Sequence, residues 1–376
     1  MTAKILVLGA GRIGAAIADN LSADYDVTVA DNNPQALAVP NNRGLGIKLA
    51  DLSHDDTLFN LVRPYDTIVG ALPSQFGFQA LKTVLQAGKP VVDISFFAED
   101  ALALDALAQD NHTTALVDFG LAPGLTNLIT GRLLAQAERL DAIRCYVGGL
   151  PQNPQPPFNY KAPFAPLDVI EEYTRPARLR RAGKDITLPA LSEIEAIRIG
   201  GTPLEAFNTD GLRSLLHTIA PEQLPNMVEK TVRYPGHAAF IQQLVDAGFF
   251  TPAHRQTTAA VLLEQWQYAP GEADITYFAV EAEGRWDDAI DKKETRRWEL
   301  VDRQNTESGH SSMARTTGYT AAAGVRLLLN DTLPHGVLPP ETIGASARWY
   351  TRIMQELACY GITLQGPAFD PPHTVE

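Results

Sequence analysis

The chain has 376 residues, 45% of them hydrophobic and 20% charged, which is long for one compact core and predicts two domains. Its 44 acidic side chains against 31 basic ones give a formal charge of −13, a field that repels nucleic-acid phosphates and anionic lipid, so neither is an expected partner. Two distant cysteines (Cys145 and Cys359), a strand that starts directly after MTAK and the lack of a membrane-length apolar run predict a cytoplasmic protein without a signal peptide.

Over the first 120 or so residues, short apolar runs alternate with helical patterns. The runs are ILVL (5–8), VTVA (27–30), IKLA (47–50), TIVGAL (67–72), VVDIS (91–95) and ALVDF (115–119). Strands that are apolar throughout and separated by helices predict a parallel sheet covered on both faces, a doubly wound Rossmann-type α/β domain. GLAPGLTNLITGRLLAQAERL (120–140) reads as a turn and a long helix leaving that domain. Alternating runs then follow, IRCYVGGL, KDITLPAL, IEAIRI and ADITYFAVEAEGRW, with helices predicted in DGLRSLLHTI and GHAAFIQQLVDAGFF. They predict an α+β substrate and dimerisation domain built on an antiparallel sheet. The boundaries expected are 1–122, 123–310 and 311–376, the last containing two helices, from SSMARTTGY and from ETIGASARWY, that return to the nucleotide domain.

The first loop carries the chemistry that is easiest to read. Gly9, Gly11 and Gly14 form a GxGxxG pattern between a predicted strand and a predicted helix. Gly9 permits the tight turn, Gly11 lets amides approach a pyrophosphate, and Gly14 allows close helix–strand packing, with Arg12 and Ile13 at the helix start. Asp31 ends the next strand, followed by Asn32, with no arginine to meet a 2′-phosphate. NAD is therefore the expected cofactor. Asp51 ends the third strand, near the adenine or as the cap of the DLSHDD turn. Ala71, Leu72 and Pro73 end the fourth, on the nicotinamide side. Scattered histidines without HExxH or clustered Cys/His spacing predict no metal.

A hydride donor needs anchors for its ends, and arginines suit a carboxylate. Arg213, Arg233 and Arg315 are candidates, with Asp93, Glu99, Lys161 and His237 as titrating groups for an acid/base role. Residues 147–166, VGGLPQNPQPPFNYKAPFAP, hold six prolines in twenty positions and read as either a stiff spacer or a pocket wall. The dense basic stretch RPARLRR (175–181) reads as a solvated face or hairpin edge.

VLGAGRIG, FGLAPGLTNLITGRL, VGGLPQNPQPPFNYK, DVIEEYTRPARL, EAFNTDGLRSLL, TVRYPGHAAFIQQLVDAGFF and MARTTGYTAA together resemble the saccharopine dehydrogenase superfamily, most closely its lysine 6-dehydrogenase branch. That resemblance implies NAD-dependent oxidative deamination of the ε-amino group of L-lysine, in a homodimer or higher homo-oligomer. It implies that Tyr160, Arg213 and Arg315 bind the amino-acid substrate, that Asp93, His237 or Lys161 moves the proton, and that the proline run is a wall. APFAP (162–166) departs from a tryptophan-bearing sequence expected there, which puts substrate size in question. Alternatives are glutamate-forming saccharopine dehydrogenation, a carboxynorspermidine-type dehydrogenase and a non-catalytic dinucleotide sensor.

Overall fold

The computed structural model describes residues 2–163, 166–269, 271–286, 293–305 and 307–369. It divides into two units, one holding residues up to Gly131 and Ala314–Gly361, the other Arg132–Met313 and the chain from Ile362 onward. The boundaries differ from those expected. The start of the GLAPG-led helix stays with unit 1, and the chain after Gly361 goes to unit 2.

Unit 1 opens with β1 (Lys4–Leu8), α1 (Arg12–Leu21), β2 (Asp26–Asp31), α2 (Pro34–Asn42), β3 (Gly46–Leu49), α3 (Asp55–Val62), β4 (Thr67–Gly70), α4 (Ser74–Gln86), β5 (Val91–Asp93), α5 (Asp105–Asp110) and β6 (Thr114–Leu116). Local chemistry sets the helix starts. The Asn33 side chain accepts from the Gln35 amide with Pro34 at the first position of α2, and Asp55 and Asp56 sit in the first turn of α3. The strand residues Ile5–Leu8, Ile68, Val69, Val91 and Val92 are all buried, as both-faced cover requires. β3 is the exception. It is exposed along its length, with Leu49 66% exposed, because it forms an edge paired only to β2.

α6 (Leu125–Gln136) then leads into β7 (Ala137–Pro151). The helix expected to reach Leu140 stops at Gln136, because residues 137–140 pair with the far end of a later strand and tertiary pairing overrides their helical propensity. Unit 2 continues with α7 (Pro166–Thr174), β8 (Ala177–Arg181), β9 (Lys184–Leu188), β10 (Glu195–Ile199), β11 (Thr202–Thr209), α8 (Leu215–Thr218), β12 (Met227–Arg233), α9 (His237–Asp246), α10 (Arg255–Gln265), β13 (Asp274–Trp286) and β14 (Glu294–Arg303). Among the described residues its sheet runs β10-β11-β12-β7-β13-β14, with β8 and β9 as a side hairpin. The pairs are antiparallel save one. β7 and β12 run parallel, so the sheet is mixed rather than wholly antiparallel. The helix expected from DGLRSLLHTI is a single turn, because Arg213 takes the left-handed conformation (φ +52°) and stops it from starting earlier.

The proline run lies wholly within unit 2. Phe158, Tyr160 and Ala162 pack on the core made by α7, α9, α10 and the sheet, so the segment is not an inter-domain spacer. Gly149 leaves the room for this. A Cβ there would stand 2.7 Å from Pro163 and 2.5 Å from the Met313 methyl. Phe164 and Ala165 of the APFAP departure lie outside the described residues.

The chain returns to unit 1 in α11 (Ser312–Asn330), β15 (Gly336–Leu338), α12 (Pro340–Ala345) and α13 (Ala347–Cys359). β15 pairs in parallel with β6, and the sheet order among the described residues becomes β15-β6-β5-β4-β1-β2-β3. Arg326 of α11 bonds Asp24 and Asn20 at the end of α1. The single helix expected from ETIGASARWY is two, broken at Ser346, whose side chain caps α13 at the Trp349 amide.

Candidate functional site

In unit 1 the strand order reverses direction at β1, between β4 and β2, which is where open α/β sheets bind ligands at the carboxyl ends of their strands. Gly9 leaves β1 at φ +104°, and a Cβ on it would lie 2.4 Å from the Ala71 carbonyl oxygen. Gly14 packs as tightly, since a Cβ there would lie 2.1 Å from the Gly9 carbonyl oxygen. Gly11 faces open space, with nothing within 4 Å of a built Cβ, and it caps α1 without any side-chain bond. The first amides of α1, at Arg12 and Ile13, are thus presented as an uncapped helix start, the arrangement that holds a phosphate.

Asp31 stands beside this turn. One carboxylate oxygen accepts from the Ala10 amide at 2.7 Å and the other from the Asn33 amide at 2.8 Å. Two amides leave acceptor capacity on a carboxylate for ribose hydroxyls. Asn32 is exposed next to it. Ala71 and Leu72 follow β4 and lie against the glycine turn, and Pro73 is the residue before α4. Asp51 follows β3. Its carboxylate accepts from the Ser53 amide and hydroxyl, and those bonds hold its pKa below the usual carboxylate value, as in a turn cap. These bonds are those of the turn-cap role considered for Asp51.

Asp93 ends β5, only 2% exposed. It accepts from the Ser95 amide at 2.8 Å, and its other oxygen lies where a Cβ on Gly70 would come within 1.8 Å. The missing side chain of Gly70 therefore makes room for this carboxylate at the carboxyl edge of β4 and β5. Arg315 is also in unit 1, 5% exposed, and donates to the Tyr360 carbonyl oxygen beyond α13. Glu99 is exposed in the segment before α5.

Tyr160, Lys161, Arg213 and His237 belong to unit 2. His237, expected as an acid/base, is corrected by its surroundings. It is 2% exposed, its Nδ1 lies 2.8 Å from the Phe158 carbonyl oxygen, and its Nε2 lies 2.9 Å from the Tyr173 hydroxyl. A carbonyl can only accept, so Nδ1 carries the proton and Nε2 accepts from Tyr173. Burial, reinforced by the Arg233 charge, lowers its pKa to about 3, so the ring is neutral and both nitrogens are committed. Lys161 donates to the Gln267 carbonyl oxygen and pairs with Glu272, tying the proline segment to that turn.

The centre of the cluster is Arg233, 2% exposed at the end of β12. Its Nε donates to the Tyr173 hydroxyl at 3.1 Å, and its other nitrogens donate to the Val232 carbonyl oxygen and to Glu172. Its guanidinium lies 4.4 Å from the Tyr160 ring centroid. The bonds have one direction: Arg233 to Tyr173, Tyr173 to His237, His237 to Phe158 of the proline run. Burial holds Glu172 above the usual carboxylate pKa even beside Arg233, and it lifts the Tyr160 and Tyr173 phenols as well. Glu172 and Tyr173 were not anticipated. The one local signal was an EEY triplet preceding the basic stretch.

Arg213 is 5% exposed in a loop held at Asp210 by a bidentate bond from Arg178. The Glu229 carboxylate crosses Gly211, where a Cβ would lie 1.5 Å from its Oε1. The remaining arginines of the basic stretch are self-neutralised: Arg175 with Glu171, Arg180 with Asp185, and Arg181 with Glu193.

Comparison with known proteins matches both units. The family model described as "Saccharopine dehydrogenase NADP binding domain" matches residues 5–116, and that described as "Saccharopine dehydrogenase C-terminal domain" matches residues 120–362. "Saccharopine dehydrogenase [NADP(+), L-glutamate-forming]" of Saccharomyces cerevisiae is 25% identical, covering 97% of this chain and 99% of the relative. The protein of the same description in Pyricularia oryzae is 27% identical over 66% of this chain and 58% of its own. "Alpha-aminoadipic semialdehyde synthase, mitochondrial" of Mus musculus is 24% identical over 65% of this chain but only 28% of its own length. The solved apo structure of saccharopine dehydrogenase (L-Glu forming) from Saccharomyces cerevisiae has the same fold, with a TM-score of 0.81, 22% identity and coverage of 97% and 99%. With both its dinucleotide-binding Rossmann unit and its second unit accounted for, the chain belongs to the saccharopine dehydrogenase family of oxidoreductases.

Proposed function

We propose that this protein is a saccharopine dehydrogenase of the glutamate-forming type. It would oxidise the C–H bond beside the secondary amine of a lysine-derived amino acid, giving an imine that water cleaves to L-glutamate and a semialdehyde. The observation carrying this reading is the match to a glutamate-forming relative over essentially the whole of both chains. A nicotinamide dinucleotide supplies the hydride acceptor when bound. The chain's part is the uncapped start of α1 for the pyrophosphate, Asp31 for the ribose and Asp93 at the sheet edge as the candidate proton acceptor.

A second reading, oxidative deamination of L-lysine, draws on the arginines of unit 2. Arg175, Arg178, Arg180, Arg181 and Arg233 all have acidic partners, which leaves few cations for a substrate with several carboxylates. Lysine presents only one. For the cofactor we favour NAD, because a carboxylate at Asp31 repels a 2′-phosphate, although the relatives' descriptions name NADP.

Purified protein incubated at alkaline pH with NAD or NADP, and with saccharopine or L-lysine, tests all of this through the absorbance of the reduced nicotinamide. Turnover of saccharopine alone supports the first reading, and turnover of L-lysine alone replaces it with the second. Asp31→Ala should narrow a preference for NAD by about tenfold, the worth of one lost charge-assisted interaction. A wild-type enzyme that prefers NADP overturns the cofactor assignment.

A further inference from the structure

β14 is 10 residues long and lies at one end of the unit 2 sheet, paired on its inner side to β13. A long edge strand offers a row of outward amides and carbonyls to any second strand that meets it. Among the described residues, what meets the outer side of β14 is a short piece of the chain's own later sequence. Glu299 and Gln365 exchange both backbone hydrogen bonds, at 2.8 and 2.7 Å. The Trp298 indole donates to the Pro367 carbonyl oxygen at 2.8 Å, and the Phe369 ring stacks on the Trp298 ring with centroids 5.2 Å apart. Gly366 permits the approach, since a Cβ on it would stand 2.6 Å from the Arg297 carbonyl oxygen.

This cover is narrow. Residues 365–368 are exposed, and the bridge at Glu299 is an isolated one. Antiparallel strands turn alternate residues outward, and Gln304 turns inward, its amide donating to the Asp274 carbonyl oxygen. Arg297, Val301 and Arg303 therefore point their N–H and C=O groups outward, as Glu299 does. Val301 also has a 38% exposed side chain.

Charge identifies the strand that would pair there. The chain as a whole carries a formal charge of −13, which opposes contact between copies. β14 is balanced, with Arg296, Arg297 and Arg303 against Glu294, Glu299 and Asp302. An antiparallel partner of the same sequence sets the Arg296–Arg297 half of each strand against the Glu299–Asp302 half of the other. Opposite charges across a strand pair stabilise it. We propose that residues 365–369 are a strap that keeps the outer edge of β14 from pairing with the same edge of a second copy of this chain, and that releasing the strap joins two copies antiparallel through β14.

Two substitutions in the full-length chain test this. Gly366→Val drives a side chain into the Arg297 carbonyl, and Gln365→Pro removes the amide that donates to Glu299. Both variants should bind the dinucleotide as the wild type does, which shows that unit 1 is folded. In light scattering over a dilution series, each should reach twice the wild-type mass at about tenfold lower concentration than any wild-type association. Amide exchange at Glu299 should quicken in the dilute variant and slow again as concentration rises. Val301→Pro, added to either variant, deletes an outward N–H without touching the ladder to β13, and should restore the wild-type mass. The wild-type mass at every concentration overturns the proposal, as does a lower Tm with no change in mass. A doubled mass that survives Val301→Pro also overturns it, because the contact then lies elsewhere. Turnover plays no part in these readouts, so they stand or fall apart from the proposed reaction.

Discussion

In unit 1 the candidate cofactor cradle is made almost entirely of main chain: a glycine turn, an uncapped helix start, and one carboxylate that accepts two amides. In unit 2 the candidate substrate wall is made of side chains brought from β12, α7, α9 and the proline segment, linked by directional hydrogen bonds over separations of up to 79 residues. The difference has a practical meaning. A main-chain cradle fails when atoms are added, because there is no room. A buried side-chain network fails when atoms or charges are removed, because the remaining partners are stranded.

The largest effect should come from stranding a charge. Arg233→Met leaves Glu172 without its partner and should cost about 3–5 kcal/mol in denaturant unfolding. Adding Glu172→Gln should recover part of that loss, and strict additivity of the two would refute the coupling. Adding one methyl to the other unit comes next. Gly14→Ala places a Cβ 2.1 Å from the Gly9 carbonyl oxygen, which is backbone and cannot swing away. It should cost about 1–3 kcal/mol and remove detectable dinucleotide binding, measured by titration.

Acid provides a graded version. The folded His237 has a pKa of about 3 against an ordinary value near 6.5, so between those values the unfolded chain binds the extra proton. Stability attributable to His237 is complete above pH ~6.5 and declines as pH falls towards 3, by about 2–3 kcal/mol at pH ~4.5. The unfolding free energies of wild type and His237→Gln should diverge by this amount between pH ~6.5 and ~4.5, and a constant difference would show that the ring is not held neutral. The smallest effect distinguishes a cap from a ligand. Asp51→Ala should leave dinucleotide affinity within about twofold, since its carboxylate is spent on Ser53.

The same contrast explains what the sequence could tell. Gly9, Gly11, Gly14 and Asp31 are close in the chain and act through local backbone, so their spacing was readable. β1, β4 and β5 were readable because strands buried on both faces are apolar at every position. β15 was not. It is three residues long, and its partner β6 lies more than two hundred positions earlier. The role of His237 was equally hidden, for the RYPGH motif marks the residue while its tautomer is set by Tyr173 and Phe158, far away in sequence. The strand at residues 137–140 reads as helix because only its pairing with β13 makes it a strand. In unit 2 the Pro-rich composition signalled stiffness, but which way Tyr160 faced depended on packing that no spacing encodes.

The path of the chain through the two units bears on how the protein is made. It leaves unit 1 after Gly131, comes back at Ala314, and departs again after Gly361. A ribosome therefore releases β1 to β6 long before β15 exists to cover the β6 edge, and α11 must emerge before Arg326 can reach Asp24. Residues 365–369, whose Pro367 carbonyl accepts from the Trp298 indole and whose Phe369 stacks on it, emerge later still. Neither unit can finish folding until these later segments have been synthesised, so the nascent chain carries an open sheet edge while Arg132–Met313 is being made, a period in which a chaperone has something to hold.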